Sequence, residues 1–235
     1  MMRMGKRLLG SLAAALFPPR CVLCSRELHA LDIICSDCIA SLPSFEGPRC
    51  ECCGKLVDDS TIDLCFRCGT QRRWVDRVFS LGPYQGSWGR LVQAFKFERE
   101  IAVGRWLGEQ MAEALPALNE APEFTVITFV PMTRQDRRLR GFNQAEVLAR
   151  IIAEQRNLPV IKLLAKIHKT PLQSRLTAVE RKANLRDAFR QLPCELEQVL
   201  LIDDIYTTGS TVEECARMLK LGGARSVVAM TVAQA

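Results

Sequence analysis

The densest chemistry in the chain lies in thirteen consecutive residues, VLLIDDIYTTGST from Val199 to Thr211. Four apolar residues predict a strand buried on both faces, so the residues after it sit at the carboxyl end of a sheet, where open α/β folds bind ligands. Asp203 and Asp204 come next. Adjacent carboxylates accept hydrogen bonds from the vicinal hydroxyls of a sugar or help hold Mg2+, and both serve one ligand only if the chain begins to turn there. Thr207, Thr208, Gly209, Ser210 and Thr211 then supply hydroxyls and a glycine running into a helix. Ser210 with Glu213, and Thr211 with Glu214, match the Ser/Thr-x-x-Glu capping box. A helix N-terminus offers N–H groups and the positive end of a dipole, which seat a phosphate. A merely well-capped helix would need neither the paired acids nor the hydroxyl-rich loop.

A second cluster is built of sulfur. Nine of the 11 cysteines lie between Cys21 and Cys68. Cys21 with Cys24 and Cys35 with Cys38 are C-x-x-C pairs ten residues apart, and Cys50 with Cys53 and Cys65 with Cys68 are pairs eleven apart. Such pairs suit tetrahedral thiolate coordination, because one tight turn brings both sulfurs to one metal. The expectation is two structural Zn2+ sites of four cysteines each, favoured over disulfides; neither set offers the His or open position of a catalytic zinc. Gly54 and Gly69 each follow a ligand, where glycine eases the turn. Cys52 is surplus and can stand in for a neighbour in the second set, and crossed pairing of the clusters stays open. Cys194 and Cys215 read as ordinary core or loop thiols.

These groups must be positioned by the remaining chain. A length of 235 residues accommodates one ordinary domain plus a smaller module. At 48% hydrophobic and 25% charged residues the composition excludes a mostly disordered protein. MMRMGKR followed by LLGSLAAALF imitates a short signal peptide, but Leu8, Leu12 and Leu16 make the stripe of an amphipathic helix instead, ended by Pro18-Pro19. No stretch approaches the ~18 to 20 apolar residues needed to span a bilayer, so a soluble, cytoplasmic protein is expected. Further along, residues 75–84 read as one or two strands and 88–98 and 103–118 as amphipathic helices. Residues 125–130 form a buried strand, 142–157 a helix, 158–164 extended chain, 211–221 a helix, and RSVVAMTV a last strand. Strands alternating with helices imply a parallel sheet.

The charge is uneven. Of the net +6, residues 131–190 carry 14 basic and 5 acidic side chains, and the rest of the chain is acidic on balance. Arg134, Arg137, Arg138 and Arg140 fall on what reads as a loop leading into a helix. With Gln173, Ser174, Arg175, Arg181, Lys182, Asn184 and Arg186 they form a basic array, and arginine's planar fork suits phosphate oxygens. The surplus over one phosphorylated ligand points to a longer polyanion, single-stranded nucleic acid foremost. Trp88, Phe95, Phe97 and Phe142 are the candidate stacking residues.

VLLIDDIYTTGST resembles the phosphoribosyl pyrophosphate (PRPP) signature of type I phosphoribosyltransferases. The resemblance implies a Rossmann-like α/β sheet. Asp203 and Asp204 would lie on the ribose hydroxyls, Thr207 to Thr211 on the 5′-phosphate, with Mg2+ bound through the ligand, and a pyrophosphate loop at Pro131-Met132-Thr133-Arg134. RLRGFNQAEVLA, PLQSRLTAVERKANLRDAF and AFKFE around Lys96 extend the likeness to nearly the whole chain, which resembles the ComF/GntX family. Membership implies a double zinc ribbon at residues 20–70 after an N-terminal helix at 1–19, a phosphoribosyltransferase-like domain at 71–235, and a role in DNA uptake or utilisation. Two functions are then open. One is a PRPP-binding protein that handles single-stranded DNA, with a helicase or uptake-machinery protein as partner; the other is an active Mg2+-dependent phosphoribosyltransferase with an unidentified acceptor. No residue stands out as catalytic.

Overall fold

The structure is a computed structural model, described over residues 18–28, 32–98, 100–115, 124–166, 189–191 and 198–235. Residues 1–17 of the N-terminal amphipathic helix expected over 1–19, Cys194, and the basic stretch that includes Arg175 and Arg181 lie outside the described residues.

Two short helices, α1 (Ser36–Ala40) and α2 (Phe66–Thr70), follow Cys35 and Cys65 in the cysteine-rich segment. Strand β1 (Arg77–Pro83) opens the sheet. Helix α3 (Ser87–Gln93) runs into a single π-helical turn, Ala94–Glu98, and α4 (Ile101–Ala114) follows. Next come β2 (Val126–Phe129), α5 (Arg134–Arg140) and α6 (Gln144–Arg156). The short strands β3 (Leu164–Lys166) and β4 (Phe189–Gln191) form an antiparallel pair of their own. Strand β5 (Gln198–Tyr206), α7 (Ser210–Leu221) and β6 (Ser226–Gln234) complete the chain.

The main sheet has the order β1-β6-β5-β2 and every pairing in it is parallel, as the alternation of strands and helices requires. Val199 to Ile202 and Val227 to Ala229 sit at the centre, almost wholly buried, which is why both segments are apolar without alternation. One face carries Leu200, Ile202, Val228 and Met230 beneath α3, α4 and α6. The other carries Val199, Leu201, Val227 and Ala229 beneath α7 and the β3–β4 pair.

The cysteine segment divides between these faces. Cys21, Ile34 and Cys35 join the core of the first face, tied down where Trp88 Nε1 donates to the Pro43 carbonyl at 2.8 Å. Cys50, Cys53 and Cys68 join the core of the second. There the Cys52 carbonyl accepts from the Val78 N–H at 2.7 Å, so the second cysteine loop pairs with an edge strand that would otherwise expose its donors.

Residues 134–140, read from sequence as loop, form helix α5. The Thr133 hydroxyl accepts the Asp136 N–H at 3.0 Å and donates to the Asp136 carboxylate at 2.7 Å, a cap-and-acid pair that starts a helix with no apolar stripe of its own. The π-turn is packed by a close approach: a Cβ on Gly104 would collide with the Phe95 ring, so only glycine lets α4 lie against it. Phe95 is thereby fully buried, and its neighbours Lys96 and Phe97 project away from the core.

Candidate functional site

An open cleft of about 210 Å³ lies at the carboxyl end of β5, lined by Lys96, Asp203, Asp204, Tyr206, Thr207, Gly209, Ser210 and Thr211, with Ile205 and Val212 behind them. The strand does not turn at the acids. It stays paired with β6 through Tyr206. Both carboxylates nevertheless face the cleft, because the Asp203 side chain folds back to accept the Asp204 N–H at 2.9 Å, disturbing the strand where the second acid begins. Beyond it the side-chain alternation reverses, with Ile205 packing on the first face and Tyr206 on the second.

The acids are electrostatically distinct. Asp204 Oδ2 is held by Lys96 Nζ at 2.8 Å. Asp203 has its pKa raised to about 7 by burial and by the neighbouring Asp204, against the opposing pull of Lys96 and Lys166. Burial lowers the pKa of Lys166, whose ammonium also lies 5.8 Å from the centre of the Phe189 ring. The site thus concentrates acids and lysines in a partly dry pocket, an arrangement that changes charge when a ligand brings its own cation or phosphate.

The loop is shaped by Gly209, with φ at 76°. A Cβ there would enter the Tyr206 ring and hydroxyl, so the turn accepts glycine on both conformational and steric grounds. The capping boxes expected at Ser210/Glu213 and Thr211/Glu214 are not formed. Glu213 instead accepts the Trp74 N–H at 2.9 Å and pairs with Arg73 at 2.6 Å, while Glu214 pairs with Arg217 at 2.7 Å. Both carboxylates are engaged by these cations, so among the described residues neither Glu213 nor Glu214 is used as an acidic cap at the positive end of α7. The Thr208 and Ser210 hydroxyls lie 3.0 Å apart beside it.

Of the residues expected to hold the sugar phosphate, Asp203, Asp204, Thr207, Gly209, Ser210 and Thr211 come together around one cleft. Thr208 turns its carbonyl away, to Arg67 at 2.5 Å. Thr133 spends its hydroxyl on the α5 cap, Arg134 and Arg138 are exposed on α5, and Arg140 is half-buried with its guanidinium 5.9 Å from the centre of the Phe97 ring. None of these four lines the cleft. Of the candidate stacking residues, Trp88 and Phe95 are core, and Phe142 packs on Phe95 with ring centres 5.4 Å apart. Phe97, 69% exposed, is the one left at the surface.

Lys166, Arg67 and Arg73 were not legible as site residues, and Lys96 stood out only within AFKFE. Lys96 had one further signal, a lone cation between two aromatics; nothing in the sequence marks the other three.

The cysteine sulfurs assemble by consecutive pairs, Cys21, Cys24, Cys35 and Cys38 in one set and Cys50, Cys53, Cys65 and Cys68 in the other, all within 4.8 Å of one another in each set. Cys24 and Cys35 are 3.7 Å apart at sulfur, as are Cys53 and Cys65. Tetrahedral zinc with ~2.3 Å bonds to sulfur requires edges of roughly that length, so both sets fit structural zinc. The thiols are already unequal. In Cys21, burial is outweighed by N–H groups of Cys35, Cys24 and Leu23 and the pKa falls to about 6; in Cys38, hydrogen bonding to Cys35 and then burial raise it to about 12. A dication removes the repulsion that keeps the later thiols protonated. Cys52 stands outside both sets, its sulfur 3.7 Å from the Val75 carbonyl.

The two sets are copies of one motif. The bonds Cys21 N–H to Arg26 O, Ser25 N–H to Cys21 O, Leu28 N–H to Pro19 O and Val22 N–H to Ile33 O recur as Cys50 to Lys55, Gly54 to Cys50, Val57 to Pro48 and Glu51 to Asp63.

Comparison with known proteins agrees with this arrangement. A family model described as a double zinc ribbon domain matches residues 12–70. Among solved structures, the chain overlaps glutamine PRPP amidotransferase from B. subtilis with 22% identity and a TM-score of 0.37, covering 54% of this chain and 25% of that one. It overlaps adenine phosphoribosyltransferase from Leishmania tarentolae with 17% identity and a TM-score of 0.36, covering 58% and 59%. It therefore spans less than two thirds of either structure. Competence protein F of Haemophilus influenzae is 28% identical over 225 residues, covering 92% of this chain and 97% of the relative. Competence protein ComFC of Bacillus subtilis strain 168 is 26% identical over 208 residues, covering 85% and 83%. DNA utilization protein YhgH of Escherichia coli K12 is 30% identical over 219 residues, covering 89% and 94%. With that identity sustained along almost the full length of the relative, and both cysteine sets in place, the chain belongs to the ComF/GntX family.

Proposed function

We propose that the chain binds PRPP with Mg2+ in the Asp203–Thr211 cleft and handles single-stranded DNA in the cytoplasm, in DNA uptake or utilisation. The observation that carries this reading is the meeting of two acids, a hydroxyl-rich glycine turn and a helix N-terminus around one open cleft. Asp203 and Asp204, when both ionised, accept from the two ribose hydroxyls. The Thr207–Thr211 loop and the α7 dipole take the 5′-phosphate. Mg2+, when bound with the ligand, neutralises its pyrophosphate. Calorimetric titration with PRPP and MgCl2 tests this directly: wild type should bind and Asp203→Asn/Asp204→Asn should not, and a wild-type chain that gives no heat would end the reading.

The DNA half is supported by the names of the relatives and by the surface beside the cleft. Arg134, Arg137 and Arg138 are exposed on α5, and Phe97 adjoins Lys96 with the Arg140 guanidinium over its ring. An exposed aromatic flanked by cations suits base stacking along a phosphate backbone. Fluorescence anisotropy of a labelled single-stranded oligonucleotide should show affinity that falls steeply with salt. Phe97→Ala should weaken it by ~1 to 3 kcal/mol, as loss of one stacked base requires. No binding even at low salt would exclude DNA handling. Transfer of the phosphoribosyl group to an acceptor is the alternative, and pyrophosphate release in the presence of bases, nucleosides or DNA tests it.

A further inference from the structure

The second zinc ribbon is bonded directly to the loop that forms the floor of the cleft. Arg67, between the ligands Cys65 and Cys68, donates to the Thr208 carbonyl at 2.5 Å across 141 residues of sequence. Arg73, just after the ribbon, reaches two groups that flank the same loop: Glu213 of α7 at 2.6 Å and the Tyr206 hydroxyl, to which it donates at 3.1 Å. The Trp74 N–H donates to the other oxygen of Glu213 at 2.9 Å. Behind them Gln234 Nε2 donates to the Cys53 carbonyl at 3.0 Å. Tyr206 is the residue against which Gly209 closes, so the ribbon holds the loop at its carbonyl, at its tyrosine and at the first turn of its helix.

The internal duplication shows that the ribbon itself does not need this arginine. The bonds Ser41 N–H to Asp37 O and Gln71 N–H to Arg67 O are equivalent, which makes Asp37 the counterpart of Arg67 in the first ribbon. Asp37 pairs within its own ribbon, with Arg26, on the exposed surface. The motif therefore folds with an acid at this position, and the arginine of the second copy is directed at the loop instead.

We infer that Arg67 and Arg73 are positioning residues for the phosphate loop, so that zinc at Cys50, Cys53, Cys65 and Cys68 is thermodynamically coupled to ligand at Asp203–Thr211. A loop held in its binding geometry binds without first being ordered, and such coupling is reciprocal: zinc tightens ligand binding and ligand tightens zinc binding by the same factor. The first ribbon packs on the opposite face of the sheet and serves as an internal control.

The coupling to ligand rests on the PRPP reading above; the clamp on the loop does not. The experiment accordingly has two arms on the zinc-loaded full chain. In the first, without ligand, hydrogen exchange of the peptide spanning 207–211 is compared among wild type, Arg67→Met, Arg67→Asp and Arg67→Lys, with zinc content measured for each. Exchange should rise about tenfold in Arg67→Met and Arg67→Asp, stay within twofold of wild type in Arg67→Lys, and leave β5 and β6 unchanged. Arg67→Asp places in the second ribbon the residue the first one carries there, which guards against a variant that merely fails to fold. Unchanged loop exchange in both charge-removing variants overturns the inference. In the second arm, competition for zinc by a chromophoric chelator is brought to equilibrium with and without PRPP and MgCl2. One of the two zinc ions should need about tenfold more chelator for its removal with ligand and the other an unchanged amount. Equal competition curves with and without ligand, in a chain that calorimetry shows to bind PRPP, also overturn it; a chain that does not bind PRPP at all refutes the ligand reading, and the first arm still decides the clamp.

Discussion

Replacing Lys96 by Met is expected to weaken binding of PRPP and Mg2+ in a way that depends on pH. Lys96 Nζ lies 2.8 Å from Asp204 Oδ2, with only 14% and 13% of the two side chains exposed. At an effective dielectric constant of about 20 the bare attraction at that distance is ~6 kcal/mol. Most of it offsets the desolvation of the two charges. The observable cost is smaller still, because Asp203, deprived of a nearby cation, takes up a proton more readily. Asp203 already titrates at about 7, and Lys96 is one of the charges that keep it from rising further. Removing one close opposite charge shifts a carboxylate by ~1 to 3 pKa units. If the ligand requires both carboxylates ionised, a shift near the middle of that range costs about 2.3 kcal/mol at pH 7, or ~50-fold in Kd, because the wild-type Asp203 is itself half protonated there. Calorimetry from pH 6 to 9 in buffers of differing ionisation enthalpy reads both quantities. At pH 7 wild type should release about half a proton on binding and Lys96→Met about one, with the affinity gap closing toward pH 9. A gap of constant size at every pH would mean that Lys96 contacts ligand oxygens itself, and the reasoning through Asp203 would fail.

Other expectations rest on the same geometry. Asp203 has a folded pKa of about 7, above its ordinary 3.8. Its contribution to stability is therefore present at low pH and lost as pH rises through 7. With zinc saturating, the thermal midpoint of the free protein should fall between pH 5.5 and 7.5, and Asp203→Asn should flatten that slope and be the more stable chain at pH 8 while losing PRPP; a wild-type profile flat over this range contradicts the assignment. Gly209→Ala should lose more than ~30-fold in PRPP affinity, since strained backbone and a displaced Tyr206 each cost ~1 to 3 kcal/mol, whereas Gly223→Ala, at φ 104° but with open space around its Cβ, should bind normally. Stripping both zinc ions should lower the melting temperature by well over 10 °C, because Cys21, Cys35, Cys50, Cys53 and Cys68 belong to the two cores under the sheet; differential scanning calorimetry with and without chelator reads this.

The order of strand, acids, hydroxyl-rich turn and helix was plain in the sequence because each part is local: a four-residue apolar run, adjacent acids, a glycine at the turn. The same holds for the cysteine sets, whose spacing alone brings each C-x-x-C pair to one point. Helix α5 was legible in principle from Thr133 and Asp136, but six polar residues and the single apolar Leu139 carry no periodicity to announce it. The choice of Phe97 over Phe95 for the surface depended on a π-turn and on Gly104 beneath it, a packing fact with no signature in the neighbouring residues.

What the tertiary structure alone decided is the company the cleft keeps. Lys96 reaches Asp204 from more than a hundred positions away, Arg67 and Arg73 come to the loop from the ribbon, and Glu213 leaves its expected cap for Trp74 and Arg73. Spacing determines which groups one turn of backbone can bring together. Which distant charge meets them is set by how two faces of a buried sheet are covered, and side chains selected by long-range packing leave no periodic trace in the chain.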